Sequence, residues 1–334
     1  AYNHEFGHIF NTQYVVDGEV TNNLYAQEYR RIKGLGGDRA NWNEMMKRFK
    51  GEDFVMHYFE RLGVLSQINI AYGYDAYTKM STYVRNNTEQ IKFVRGSDQQ
   101  RLAVAYSLAL NVDLLDFFEG WNYIKVTEEM REVVAHLPKP DKKIEYLYGT
   151  AYDYKGNGFN ENLKVKVKSK INEEERTNTL SFEIDSENRD DLLGYEILKD
   201  GKVIGYTINN NFVIKDIDLS ENASYDVVPY AKHLSTGKAV NIKAFSPILD
   251  IQQESMIVNL RSDFNPADYV KGTTYKGEDI SSNIKIESNV NTAEKGKYEV
   301  KYTLMDNDVK VEKVMNVTEP YKKANRLFHP ADTI

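Results

Sequence analysis

The 334-residue sequence contains no cysteine, which excludes a disulfide framework, a thiol nucleophile and every cysteine-ligated zinc, iron–sulfur or copper site. Any metal must therefore sit on His, Asp or Glu. Nor does the sequence hold a run of ~18–20 apolar residues of the kind that crosses a bilayer as a helix, so no membrane span is expected. A basic excess is missing too: 43 Lys and Arg against 50 Asp and Glu give a net charge of -7, which argues against nucleic acid or an anionic membrane as partner. No segment is of low complexity. The opening Ala1-Tyr2-Asn3-His4 has neither an initiator Met nor a basic-then-apolar signal region, and reads as a cut inside a longer polypeptide. What remains is an ordinary globular composition, 41% hydrophobic and 28% charged, long enough for two or three domains at roughly 100–200 residues each.

The hydrophobic period divides the chain. Residues 1–137 hold both Trp42 and Trp121 and repeat apolar positions at three- and four-residue spacing, as in Phe54, Tyr58, Arg61-Leu62 and Leu65, which predicts a helical lobe. A helix should start at Thr127 as N-cap, with Glu128 and Glu129 in its first turn, and stop before Pro138. Pro138-Lys139-Pro140-Asp141-Lys142-Lys143 reads as a stiff, solvated linker over 138–149. Beyond it the period becomes two. Leu163-Lys164-Val165-Lys166-Val167 alternates as a half-buried strand does, its lysines forming the wet face. Asp200-Gly201, between two alternating runs over 195–206, predicts a hairpin. Short strands with frequent turns point to a β-sandwich, and the run Tyr225-Asp226-Val227-Val228-Pro229-Tyr230-Ala231 resembles a fibronectin type III module over 150–247. A second all-β unit is expected over 248–319, its last strands being 296–304 and 309–314 around Asp306-Asn307-Asp308. Its Gly296-Lys297-Tyr298-Glu299-Val300-Lys301-Tyr302 strand is similar to bacterial immunoglobulin-like modules. The tail, 320–334, shows no pattern and is expected to be loosely ordered unless docked.

The chemistry lies at the start. His4-Glu5-Phe6-Gly7-His8 matches H-E-x-x-H; on a helix, positions i and i+4 share a face, so both imidazoles can reach one metal ion. Glu5, about 100° round the helix, stays unliganded and is placed as general base: it takes a proton from a metal-activated water and returns it to the leaving amine. A catalytic zinc site needs a third protein ligand. Eleven residues on, Glu19 stands in Asp17-Gly18-Glu19-Val20-Thr21, a turn leading into a second helix, and completes the His-His-Glu set of a gluzincin; Glu28 is a competitor at longer spacing. Imidazole and carboxylate ligands favour Zn2+, one per chain. Asn23, one turn after Glu19, sits where gluzincins often carry an acid that orients a ligand histidine. Its amide oxygen can accept the same N–H bond without the charge; helix capping and plain surface exposure are the alternatives. His57, Tyr72 and Tyr74 are candidate donors to a transition-state oxyanion, with a structural role the alternative for each. His136, His233 and His329 have no metal spacing.

His-Glu-Phe-Gly-His followed by Gly-Glu-Val-Thr-Asn-Asn-Leu-Tyr at 18–25 resembles the enhancin-type metallopeptidases, the mucin-degrading viral enhancing factor family and its bacterial relatives. Asp113-Leu114-Leu115-Asp116-Phe117-Phe118-Glu119-Gly120-Trp121 is similar to the aromatic-acidic helix that closes the catalytic domain in that family. The resemblance covers about residues 1–137. It implies zinc on His4, His8 and Glu19, Glu5 as general base, and cleavage of mucin-like O-glycoproteins by a secreted or surface-attached microbial enzyme. It also implies an upstream β-lobe, absent from this sequence, as a partner in the catalytic cleft. The β-modules are then expected to serve as spacers or to contact glycans or the cell surface. A non-catalytic binding or spacer fragment is the competing expectation.

Overall fold

The computed structural model describes residues 2–9, 11–35, 39–306 and 309–318. The tail 320–334, with His329, and the Asn307-Asp308 turn lie outside the described residues. The order is helical first and β afterwards. Among the described residues the helices are α1 (Tyr2–Ile9), α2 (Gly18–Ile32), α3 (Trp42–Lys47), α4 (Tyr58–Tyr72), α5 (Ala76–Asn86), α6 (Thr88–Phe93), α7 (Asp98–Leu110), α8 (Leu115–Gly120) and α9 (Glu128–Val134). Thirteen strands follow among them: β1 (Val165–Asn172), β2 (Thr177–Ile184), β3 (Leu192–Lys199), β4 (Lys202–Thr207), β5 (Asn211–Ile214), β6 (Ser224–Ala231), β7 (Val240–Lys243), β8 (Ile248–Ile251), β9 (Ser255–Ile257), β10 (Val270–Thr273), β11 (Ile284–Ser288), β12 (Lys297–Asp306) and β13 (Val309–Thr318).

Two compact units result, one from residues up to 168 with 180–213 and 224–241, the other from 169–179, 214–223 and the chain from 242 on. Strands β1, β2, β5 and β7 contribute residues to both.

Local chemistry sets the helix ends. The Thr127 hydroxyl accepts from the Met130 N–H at 3.4 Å, so α9 begins where the sequence placed it. Ser97 opens α7 with a reciprocal pair, its hydroxyl accepting from the Gln100 N–H while Gln100 accepts from the Ser97 N–H. In α4 the expected stripe is half right. Leu62 and Leu65 are fully buried, whereas Tyr58 is 59% exposed and Phe54 precedes the helix. Arg61, half-buried, pairs with the buried Asp17 at 3.1 Å. Trp121, Phe118 and Tyr106 are also fully buried in this core.

Residues 138–149 are not the solvated linker that the prolines suggested. Only Pro138 to Lys143 stays largely in contact with water; Ile144, Tyr146 and Leu147 are buried. The Gln67 amide holds this segment from α4, donating to the carbonyls of Glu145 and Leu147 at 2.9 and 2.7 Å. The reason is aromatic. Tyr146 stacks on Tyr206 of β4, centroids 4.0 Å apart and planes 3° from parallel, and Phe49 meets Tyr146, Tyr206 and Trp121 edge-on. Helices and the sheet that holds β3, β4 and β6 thus share one core, to which Leu193, Tyr206, Tyr230 and Leu234 belong. Within it the Glu196 carboxylate, 4% exposed, accepts from the phenols of Tyr146 (2.5 Å) and Tyr230 (3.4 Å) and from the Lys143 ammonium. Burial first, then the Glu196 charge, holds both phenols protonated as donors well beyond neutral pH.

The first β region has two sheets, order β1-β2-β5 and β4-β3-β6-β7, with Phe182 of β2 against Tyr195 of β3 at 4.5 Å. This is the two-sheet arrangement of a fibronectin-type sandwich. Asp200 and Gly201 take φ of 51° and 74°, the left-handed pair a two-residue hairpin turn requires. The later region pairs β8 with β10 and orders a second sheet β11-β12-β13-β9, around a separate core of Leu249, Val300, Tyr302, Leu304, Met315 and Val317.

A shared core predicts a shared transition. Replacing Tyr206 by Ala should cost roughly 3–5 kcal/mol and lower the denaturant midpoint reported by the tryptophans, both of which lie in the helical region, Trp42 opening α3 and Trp121 closing α8. An unmoved tryptophan transition in Tyr206→Ala would mean that sheet and helices unfold independently.

Candidate metal centre

Two helices build the centre. On α1, His4 and His8 share one face, their rings 5.1 Å apart and edge-on. On α2, Glu19 occupies the first turn. The two helices pack unusually closely because Gly7 faces Asn22: a Cβ at position 7 would lie 2.8 Å from both Cα and Cβ of Asn22 and closer still to its carbonyl oxygen. Any residue but glycine would wedge the helices apart. Across this contact His4 Nε2 lies 2.8 Å from Glu19 Oε2, and His8 Nε2 lies 3.6 Å from Glu19 Oε1.

One ligand atom from each of His4, His8 and Glu19 falls within 4.8 Å of the others, and this is the single such group of three among the described residues. Ligand atoms around a tetrahedral zinc at ~2.1 Å stand about 3.4 Å apart, so the trio fits a small divalent ion without rearrangement of the backbone. Two imidazoles and a carboxylate are also the right donor chemistry. His4 is half-buried, while His8 and Glu19 are exposed on one side, which leaves the centre open to substrate and water. Glu5, on α1 beside His4, is exposed. Glu28 is occupied elsewhere: it grips Arg31 through both oxygens at 2.6 and 2.9 Å.

Asn23 is buried rather than on the surface. Its Oδ1 lies 3.1 Å from His4 Nδ1 and also accepts from Arg39, while its Nδ2 donates back to the Glu19 carbonyl. A His4 that donates Nδ1–H to Asn23 would keep the Nε2 lone pair, on the Glu19 side, for a metal ion. His57 occupies the exposed N-cap of α4, where its N–H donates to Glu60 at 2.9 Å. The two tyrosines belong to other surroundings. Helices α2 and α4 run parallel, for Asp17 meets Arg61 and Gln27 meets Ser66. Tyr72 therefore lies eleven residues, about 16 Å, along α4 from the site end. It lines a cavity with Tyr154 and His233, its phenol pushed up to about 12 by burial and then by Asp141. Tyr74 stacks on Tyr152, carries the Arg31 guanidinium over its ring at 3.7 Å and accepts from the Asp153 N–H. Arg31 is twelve residues, about 18 Å, beyond Glu19 on α2.

Sequence reasoning missed three residues. Asn22, fully buried, points Nδ2 at His8 Nε2 (2.8 Å) and His4 Nε2 (3.1 Å), and its Oδ1 has no partner among the described residues. It lies three residues after Glu19, so helical spacing alone would have put it on the same side. Arg39 reaches Asn23 from a loop that carries no periodic signal. Asp17 was read only as part of a turn.

Comparison with known proteins assigns families to two parts of the chain. The family model "Peptidase M60, enhancin and enhancin-like" matches residues 2–122. Residues 2–122 thus form an enhancin-like M60 peptidase domain. The M60 domain is followed by a bacterial surface protein Ig-like domain, matched over 252–317. Among solved structures, the chain is similar to the M60 catalytic domain of Clostridium perfringens ZmpB with its CBM51 domains: 30% identity, TM-score 0.72, covering 96% of this chain and 34% of that one. It is likewise similar to the M60 catalytic domain of C. perfringens ZmpC in complex with the sialyl T antigen, at 31% identity and TM-score 0.56 over 72% of this chain and 49% of that one. A further C. perfringens structure, the ZmpB metallopeptidase, gives 31% identity and TM-score 0.57 over the same 72%, and 49% of its own length. The chain spans a third to a half of these relatives. No curated protein matches it.

If the Gly7–Asn22 approach sets the ligand distances, Gly7→Ala should weaken divalent-metal binding at least tenfold, as read by cobalt(II) or zinc titration. Affinity equal to that of the unaltered protein would show that the interhelical gap does not limit the site.

Proposed function

We propose that this chain belongs to a secreted or surface-attached bacterial zinc endopeptidase that hydrolyses peptide bonds in mucin-like O-glycoproteins. The observation carrying the proposal is the convergence of His4, His8 and Glu19 to within 4.8 Å, with a free glutamate at the position adjoining the first histidine. Zinc held by these three would act as a Lewis acid toward the scissile carbonyl and acidify bound water. The protein's own groups do the rest. Asn23 fixes the His4 ring; Glu5 accepts a proton from the attacking water and passes it to the leaving amine nitrogen as the C–N bond breaks.

The substrate class is supported by the complex of the ZmpC M60 domain with a sialylated O-glycan. Surface location is supported by the bacterial surface Ig-like domain. That domain has a core of its own, which suits a spacer that holds the peptidase away from a cell or contacts glycans; this is the part of the chain for which a non-catalytic role is favoured.

Glu5→Gln in the full-length protein should leave zinc bound while lowering hydrolysis of a mucin-type glycoprotein by about 10²–10⁴. Undiminished cleavage, followed by gel mobility of the glycoprotein, would end the proposed mechanism.

A further inference from the structure

The residue that opens α2 is an aspartate, the type that ordinarily caps a helix by accepting from its first N–H groups. Asp17 does not use its side chain in that way. Its backbone carbonyl accepts from Val20 at 2.7 Å and Thr21 at 3.3 Å, while the carboxylate, 5% exposed, turns into the helical lobe. There Oδ2 accepts from the Tyr123 phenol at 2.5 Å and from Arg61 at 3.1 Å, and Oδ1 from Gln99 at 3.4 Å. The Arg61 guanidinium also lies over the Tyr123 ring, 4.8 Å from its centroid. The partners thus come from α4, from α7 and from the segment after α8. Nearby the α1–α2 connection is tied down again, Arg101 of α7 donating to the Tyr14 carbonyl at 2.9 Å and Thr21 to Asn11 at 2.9 Å.

Glu19 stands two residues beyond this anchor, on the first turn of α2, and it is the only metal ligand that α2 supplies. We propose that Asp17, gripped by Tyr123 and Arg61, is a positioning residue that sets the height and rotation of α2 so that the Glu19 carboxylate meets the two imidazoles. A half-turn slip or a fraying of the first turn would move Glu19 by several ångströms and leave a two-histidine site, which is too few ligands for a closed catalytic centre. Burial, reinforced by the Asp17 charge, keeps the Tyr123 phenol protonated and therefore a donor. The inference rests on the His4, His8, Glu19 reading of the metal site.

Tyr123→Phe tests it with the least disturbance, since the ring under Arg61 stays and only the hydroxyl goes. Zinc affinity of the full-length protein, measured by competition with a chromophoric chelator, should fall toward the roughly 10–100-fold that loss of a direct outer partner of a metal ligand costs. The visible spectrum of the cobalt-substituted protein should shift as the carboxylate ligand is loosened. Asp17→Asn, which keeps the shape but weakens the grip on Arg61, should do the same. Ile91→Val, in the same core but away from α2, serves as the control for mere destabilisation. Unchanged zinc affinity and an unchanged cobalt spectrum in folded Tyr123→Phe, while Glu19→Gln abolishes binding, would overturn the positioning role and leave the metal site standing. Failure of the unaltered protein to bind zinc would overturn both.

Discussion

The site depends on one contact between two backbones. Because Gly7 has no side chain, α1 can lie against Asn22 on α2, and at that distance imidazoles on one helix and a carboxylate on the other come within 4.8 Å of one another. Ligand residues on separate helices have no covalent reason to stay together. Their register must be imposed by packing, and here it is imposed twice: by the glycine contact along one face of α2 and by the Asp17 cluster at its start. A rigid frame of this kind spares the metal the entropy of ordering its ligands, which would otherwise be subtracted from binding.

Polar groups buried around the site follow the same logic. Asn23 satisfies His4, Arg39 and a backbone carbonyl at once, and Asp17 collects three donors. A neutral amide next to His4 orients the ring without adding a second negative charge beside Glu19. The net charge of the ligand set therefore stays at one carboxylate, a balance suited to a divalent cation that must still attract a carbonyl oxygen.

The sequence was legible wherever a short-range rule governs. The Thr127 cap and the Asp200-Gly201 turn depend on neighbours within a few residues, and the structure follows them; His4, His8 and Glu19, read from their spacing, stand within 4.8 Å of one another. It was less legible where distant residues decide. Pro138 and Pro140 made the following stretch look like a free linker, yet Tyr146 is captured by Tyr206, sixty residues on. Tyr72 and Tyr74 looked available as phenol donors because nothing local shows that α2 and α4 run parallel and carry them to the far end. Asn22 was within reach of helical spacing from Glu19, but Arg39 acts from a loop that no periodicity encodes, and nothing local shows that the Asp17 carboxylate turns into the helical lobe.

The stacked tyrosines also bear on how such chains are assembled in evolution. A module with its own core, as in residues 252–317, can be gained, lost or duplicated without cost to its neighbours. The strands that carry Tyr206, Glu196 and Tyr230 cannot be shuffled so freely, because their departure would leave the aromatic wall of the helices wet and the Lys143 ammonium without its buried counter-charge. In relatives that share the seam, this sheet should be inherited together with the peptidase helices and diverge at their pace, whatever modules are appended after it.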